Sequence, residues 1–248
     1  TEFKWIGKNF GDVMELVKIP EIVGDGYHHL CESHYIRQDD TFNNPAKYAK
    51  HYLDLNPPQN GNIFLIPGTV KVKSHDEVKN MCLQDSLFDF VVVLNGKTKG
   101  ITGNKDDEEF IVFDNTHAEI KKIIAKQEVA EWFSTWYTDY DGKNKKVAIT
   151  GNLCISRGIT ISSTVCQISH MIFGGGGKIR EEEQLLSRVC GYCYSAEKKP
   201  IVVCSKQIWN DVSNYQNIVV EISQIAMSDD RVLTNDKFNH IFYQNTTT

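Results

Sequence analysis

From residue 62 onward the chain alternates short, nearly unbroken apolar runs with stretches of helical period, and few architectures tolerate that pattern. Asn62–Pro67, Phe88–Leu94, Lys145–Thr150, Val165–Phe173 and Pro200–Cys204 read as strands buried on both faces, with Glu109–Phe113 as a further short strand. Ser74–Leu83 reads as a helix, with Ser74 as N-cap and Glu77 as its capping-box partner. Thr116–Tyr137 is the longest helical candidate, because Ile120, Ile123, Ile124, Val129, Trp132, Phe133 and Trp136 recur near helical spacing. Arg180–Val189 and Lys206–Tyr215 read as two more helices. Strands of this kind cannot leave a face in water, so helices must cover both. The expected fold is α/β: a mostly parallel sheet with helices on both faces, in three layers, joined by right-handed crossovers.

Residues 1–60 are more polar and less regular. Phe10–Val17 suggests a short helix, and Asp25–Ile36 a loop and strand. Pro45–Leu55 reads as a helix with Pro in its first turn and Tyr48, Tyr52 and Leu55 on one face, and Asn56–Gly61 then breaks it. The expected organisation is an N-terminal extension or linker over 1–60, a domain over 61–215, and a C-terminal extension over 216–248. The first residue is Thr rather than Met, which reads as a piece excised from a longer protein.

A length of 248 residues is ample for one α/β core, and 41% apolar with 24% charged residues is ordinary for a soluble domain. The net charge of −5 does not mark the whole surface as a nucleic-acid binder, although a local basic groove is compatible with it. No apolar run reaches membrane-spanning length and no signal peptide is evident. Seven cysteines, an odd number scattered through strand-like runs, suit reduced thiols in a cytoplasmic or nuclear setting. Cys190 and Cys193 form a lone C-x-x-C, and His28, His29, Cys31 and His34 cluster without a standard ligand spacing. Packing cysteines and loop histidines are the simpler reading, so no bound metal is expected.

Loops that follow parallel strands gather at the carboxyl edge of a sheet, where α/β proteins bind ligands. Pro67–Thr69, Asn95–Thr98, Thr150–Gly158 and Gly174–Lys178 are rich in glycine, amides and hydroxyls, which let a backbone approach a sugar-phosphate chain closely. Each alone is an ordinary turn; together on one edge they suggest a binding surface. The glycine run at Gly174–Lys178 is not a phosphate-cradling Gly-x-x-x-x-Gly-Lys-Ser/Thr loop, since no Ser or Thr follows Lys178. Asp106–Glu109 reads as a solvated acidic loop.

Val147–Thr150, the turn Ser156–Ile161 and the run Gln184–Arg188 resemble motifs V and VI of superfamily 2 helicases, and Ile63–Pro67 with Ser74–Val78 resembles their motif IV strand and helix. The resemblance is specific over residues 146–192, and it is most similar to the divergent helicases of large DNA viruses and phages. It implies a RecA-like second motor domain, with ATP and Mg2+ shared with a first RecA-like domain supplied from outside these residues. It also implies single-stranded DNA or RNA as partner, no membrane, and a reducing, cytoplasmic or nuclear and virion-compatible location. By the resemblance Arg188 is the catalytic arginine finger, with Gln184, Gly158, Arg157 and Thr160 at the nucleotide. Thr150, Gly151, Gly68, Thr69, Asn95 and Gly96 would hold the nucleic-acid backbone. The chain departs from the family's pattern in four ways: Gly191 replaces the final motif VI arginine, Ser187 a glycine, Thr160 an aspartate, and the motif V gap is longer. Those departures leave a non-catalytic RecA-like module for docking nucleic acid or protein as the alternative.

Overall fold

The computed structural model describes residues 28–39, 42, 44–105, 108–114, 129–152, 161–163, 165–175, 178–191, 194 and 198–228. The expected helix at Phe10–Val17, the first half of the one at Thr116–Tyr137, and the turn containing Arg157, Gly158 and Thr160 lie outside them. The chain divides into two compact units: Tyr27–Trp209, and Thr1–Gly26 together with Asn210–Thr248.

The larger unit is α/β, built on one eight-stranded sheet. Its strands are β1 His34–Arg37, β2 Ile63–Leu65, β3 Phe90–Leu94, β4 Lys99–Lys105, β5 Glu108–Asp114, β6 Val147–Gly151, β7 His170–Ile172 and β8 Ile201–Cys204, in the spatial order β1-β8-β7-β2-β6-β3-β4-β5. From β1 to β3 every neighbouring pair is parallel, and only β3–β4 and β4–β5 are antiparallel. The helices are α1 Pro45–Leu55, α2 Val72–Leu83, α3 Val129–Asp139, α4 Ile179–Leu186 and α5 Lys206–Ser228.

β3 and β6 are buried along their whole length, which accounts for their unbroken apolar sequences. Strand alternation sends Val91 and Val93 to one face and Phe90 to the other. Val91 and Val93 join Phe64, Ile66, Ala148 and Ile172 in a cluster with Tyr48, Tyr52 and Leu53 of α1 and with Val78 and Cys82 of α2. Phe90 instead meets Trp136 of α3 edge-on, with centroids 5.1 Å apart. Helices therefore cover both faces, as the apolar runs require. Each large side chain buried in this way contributes about 1.5–3 kcal/mol.

Several elements differ from the sequence reading. β1 and α1 belong to the sheet and its core, so residues 1–60 are not wholly an extension. α1 is capped by Asn44, whose side chain accepts from the N–H of Ala46 at 2.8 Å and of Lys47 at 3.3 Å. Tyr48 and Tyr52 are buried as expected, but Leu55 is 75% exposed, because the core-facing stripe continues through Leu53. Ser74 is not an N-cap: α2 begins at Val72 after Lys71, and the Ser74 hydroxyl accepts from the Thr69 N–H at 2.8 Å. Glu77 accepts from the Asn44 side-chain amide at 2.8 Å and so ties α2 to the start of α1.

Asn95–Thr98 does not precede a crossover; it closes the β3–β4 hairpin, where the Asn95 N–H donates to the Thr98 carbonyl at 2.8 Å. β4 has no counterpart in the sequence reading, and Glu108 and Glu109 of the acidic run open β5. The strand expected over Val165–Phe173 is limited to His170–Ile172. α5 runs unbroken through the boundary expected at 216. Among the described residues no helix is long and apolar enough to cross a membrane.

Candidate ligand cleft at the carboxyl edge

β2 and β7 are parallel neighbours whose outgoing connections run in opposite directions. α2 carries the chain from β2 toward β3, and α4 carries it from β7 to β8 on the other side. The carboxyl ends of β2 and β7 thus form a topological switch point, where α/β sheets open a crevice. A small cleft of about 30 Å3, room for about one or two waters, is found there, lined by Gly68, Thr69 and Val70 after β2, Asn152 after β6, Phe173 and Gly175 after β7, and Glu181 and Leu185 of α4.

The loop after β2 is held tightly. The Gly68 N–H donates to the Gly151 carbonyl at 2.9 Å, and the Asn152 side-chain amide donates to the Gly68 carbonyl at 2.8 Å. Thr69 is latched from α2: its N–H and its hydroxyl both reach the Ser74 hydroxyl, at 2.8 and 2.9 Å, and its carbonyl lies 2.7 Å from His75 Nε2. Burial lowers the pKa of His75, with the Thr69 hydrogen bond and Asp76 opposing the shift. A Cβ on Gly68 would overlap His75 Cδ2 and stand 2.8 Å from Ser74 Oγ, so glycine is required by this close approach. Gly175 has φ +79°, a left-handed conformation that favours glycine, and a Cβ there would lie 2.7 Å from Ile208 Cδ1.

The sequence-derived site residues divide into groups. Gly68, Thr69 and Gly151 do meet at this edge. Thr150 is fully buried and its hydroxyl has no partner among the described residues; the Nδ1 of His75 and the side-chain nitrogen of Asn95 share that condition. Such enclosed polar atoms are normally satisfied by water or ligand. Asn95 also shapes its own turn, its Oδ1 accepting from Lys97 N–H at 2.8 Å and Thr98 N–H at 2.6 Å, while Gly96 at the tip has open space around it. Arg157, Gly158 and Thr160 lie outside the described residues.

Gln184 and Arg188 are not in the cleft; α4 presents Glu181 and Leu185 to it instead. α4 crosses from the carboxyl end of β7 toward the amino end of β8, so Arg188, in the 3-10 turn beyond α4, stands at the far end from Gly175. Its Nε donates to the Gln184 carbonyl at 3.2 Å, and its charge acts on Cys190. Burial, then Glu183, pushes the Cys190 thiol up to about 12, so it is no ready thiolate. Its C-x-x-C partner Cys193 lies outside the described residues, and among those residues no three His, Cys, Asp or Glu side chains converge on a metal position. Gly191 has φ +134° and exchanges two backbone hydrogen bonds with His28, at 3.0 and 3.1 Å. An arginine would be strained in that conformation, which gives a backbone reason for glycine where the resemblance has an arginine.

The sequence reading placed Asn152 in a strand-end loop without a role of its own and overlooked Lys71. Asn152 holds the loop after β2, and Lys71, exposed at the end of that loop, adds positive charge on the same edge as exposed Lys97 and Lys178. No local pattern marks Asn152; its partner Gly68 is 84 residues away in the chain.

No protein-family model, curated protein or solved structure matches the chain.

Proposed function

We propose that the larger unit is the second motor domain of an ATP-dependent nucleic-acid helicase or translocase, acting in a reducing compartment. One observation supports this reading: the loops that follow the motif IV-like and motif V-like strands, at Gly68–Val70 and Asn152, meet Leu185 of the motif VI-like run at one cleft at the switch point. Single-stranded DNA or RNA would lie across the carboxyl edge, with Lys71, Lys97 and Lys178 drawing its phosphates and the loop after β2 as a rigid rail. ATP with Mg2+ would be gripped by a first motor domain, because these residues contain no Gly-x-x-x-x-Gly-Lys-Ser/Thr loop. Arg188 would meet that nucleotide from the far end of α4, on a surface separate from the nucleic acid.

The geometry of Gly191 favours a second reading, a RecA-like module that docks nucleic acid without an ATPase role. Strand-stimulated ATP hydrolysis by the protein carrying both motor domains separates the two. An arginine finger is worth on the order of 10^3 or more in kcat, so Arg188→Ala is expected to lower kcat by about that factor with little change in KM. Unchanged turnover with intact strand binding would select the docking module instead.

A further inference from the structure

A cavity with a charge character of its own lies on the opposite rim. It encloses about 520 Å3, within the usual range for small-molecule sites. Segments that enter the sheet at its amino edge build it: Asn60–Asn62 before β2, Lys143 before β6, Val165–His170 before and into β7, and Lys198–Ile201 before and into β8. We propose that this amino-edge pocket binds a small phosphorylated molecule, with its phosphates on Lys143, Lys198 and Lys199 and its uncharged part against Asn62, Gln167 and Tyr194.

Charge is the first argument. The chain as a whole carries −5, yet three lysines line this pocket and none of its described lining residues is Asp or Glu. Among the described residues, the acids that interact with these lysines are weak competitors. Lys143 lies 4.0 Å from Asp141, and both side chains are largely exposed. Lys199 acts electrostatically on Glu32, which is itself solvent-facing. Three ammonium groups delivered by two separate segments suit a multiply charged phosphate better than a single carboxylate.

Preorganisation is the second. The Ser169 hydroxyl and the backbone of Ile63 form a reciprocal pair, both contacts at 3.0 Å, which fixes the wall between β2 and β7. The Tyr194 hydroxyl lies 3.1 Å from the Ser162 hydroxyl, holding its largely buried ring in place. His170 stacks on Phe64 at 4.1 Å, and burial holds its pKa near 4, so it presents a neutral ring. The Gly61 N–H donates to the Lys145 carbonyl at 2.8 Å and its φ is +83°, which pins the loop before β2 against the Lys143 segment. A site whose walls are already in place loses little freedom on binding.

Isothermal titration calorimetry of the full chain with pyrophosphate, ADP and citrate tests the proposal. Pyrophosphate and ADP are expected to bind saturably at one site, with citrate weaker. Lys198→Ala/Lys199→Ala should weaken both phosphate ligands at least about tenfold. Lys50→Ala, which removes one exposed charge on α1, should leave them unchanged. Absence of saturable binding, citrate as tight as pyrophosphate, or equal affinity in the double variant would each overturn the assignment. The double variant leaves Arg188 and the carboxyl edge unchanged, so its phosphate affinity and the strand-stimulated turnover that tests the motor reading are separate readouts.

Discussion

Gly68 leaves β2 where there is no room for a methyl group, and the reason is the latch rather than the turn. His75 and Ser74 come down from α2 onto the loop to hold Thr69. Gly68→Ala is therefore expected to cost about 1–3 kcal/mol in urea denaturation, the usual penalty for overpacking. Gly96→Ala, at a tip with open space, should stay within about 0.5 kcal/mol. Equal costs at the two positions would mean that the latch does not confine Gly68. At this scale the sequence was informative about residue type and weak about role. Glycine, asparagine and threonine do stand at the strand ends, as their residue types suggested. Whether each faces a ligand or the fold itself depended on how the chain packs around it: Asn95 caps its own hairpin through Lys97 and Thr98, and Thr150 is enclosed.

Helix α1 shows how one side chain can join two elements. Asn44 caps α1 with its Oδ1 and donates its amide to Glu77 on α2, 33 residues away. Asn44→Ala should lower stability by about 1–2 kcal/mol, more than a surface cap alone. A double-mutant cycle with Glu77→Ala should return a coupling of at least about 0.5 kcal/mol. Purely additive costs would reduce Asn44 to a local cap. Elements with strong hydrophobic period were legible, as α1, α2, β3, β6 and β8 show. β4 was not, because Gly100, Gly103 and Asn104 depress its strand propensity and it forms only through pairing with β3 and β5. β1 was read only as part of a loop and strand over Asp25–Ile36, because it is an edge strand, mostly exposed, with no buried run to fix its bounds.

Across the larger unit, the buried His28 and His75 and the partly buried His170 bias stability in one direction. His170 has its pKa lowered from 6.5 to about 4, and His28 and His75 are also lowered, in each case chiefly by burial. The folded state therefore holds neutral imidazoles, while the unfolded chain takes up protons below about pH 6.5. Stability is full above pH 6.5 and falls as pH drops toward 4. His170 alone accounts for roughly 2–3 kcal/mol of that loss at 1.36 kcal/mol per pH unit. Glu32 and Asp39 are held below their usual values by the backbone N–H groups of His29 and Lys206, so they extend the loss to still lower pH. Denaturation midpoints between pH 7.5 and 4.5 should show the decline, and His170→Phe, which keeps a ring against Phe64, should flatten it. A variant with the parent's slope would rule out His170 as the main contributor.

Local pattern alone carried the class of fold, because a strand with no polar residue can be buried only between two helical layers. It carried the glycine-rich character of the strand ends for a similar reason, since short-range backbone geometry selects glycine. The order β1-β8-β7-β2-β6-β3-β4-β5 was beyond its reach, and so was the cleft that this order opens between β2 and β7. Both arise from pairings between residues scores of positions apart, whose energies depend on proximity in space. The separation of Arg188 from Gly68 follows likewise from the path of α4 across the sheet, a distance that spacing along the chain does not encode.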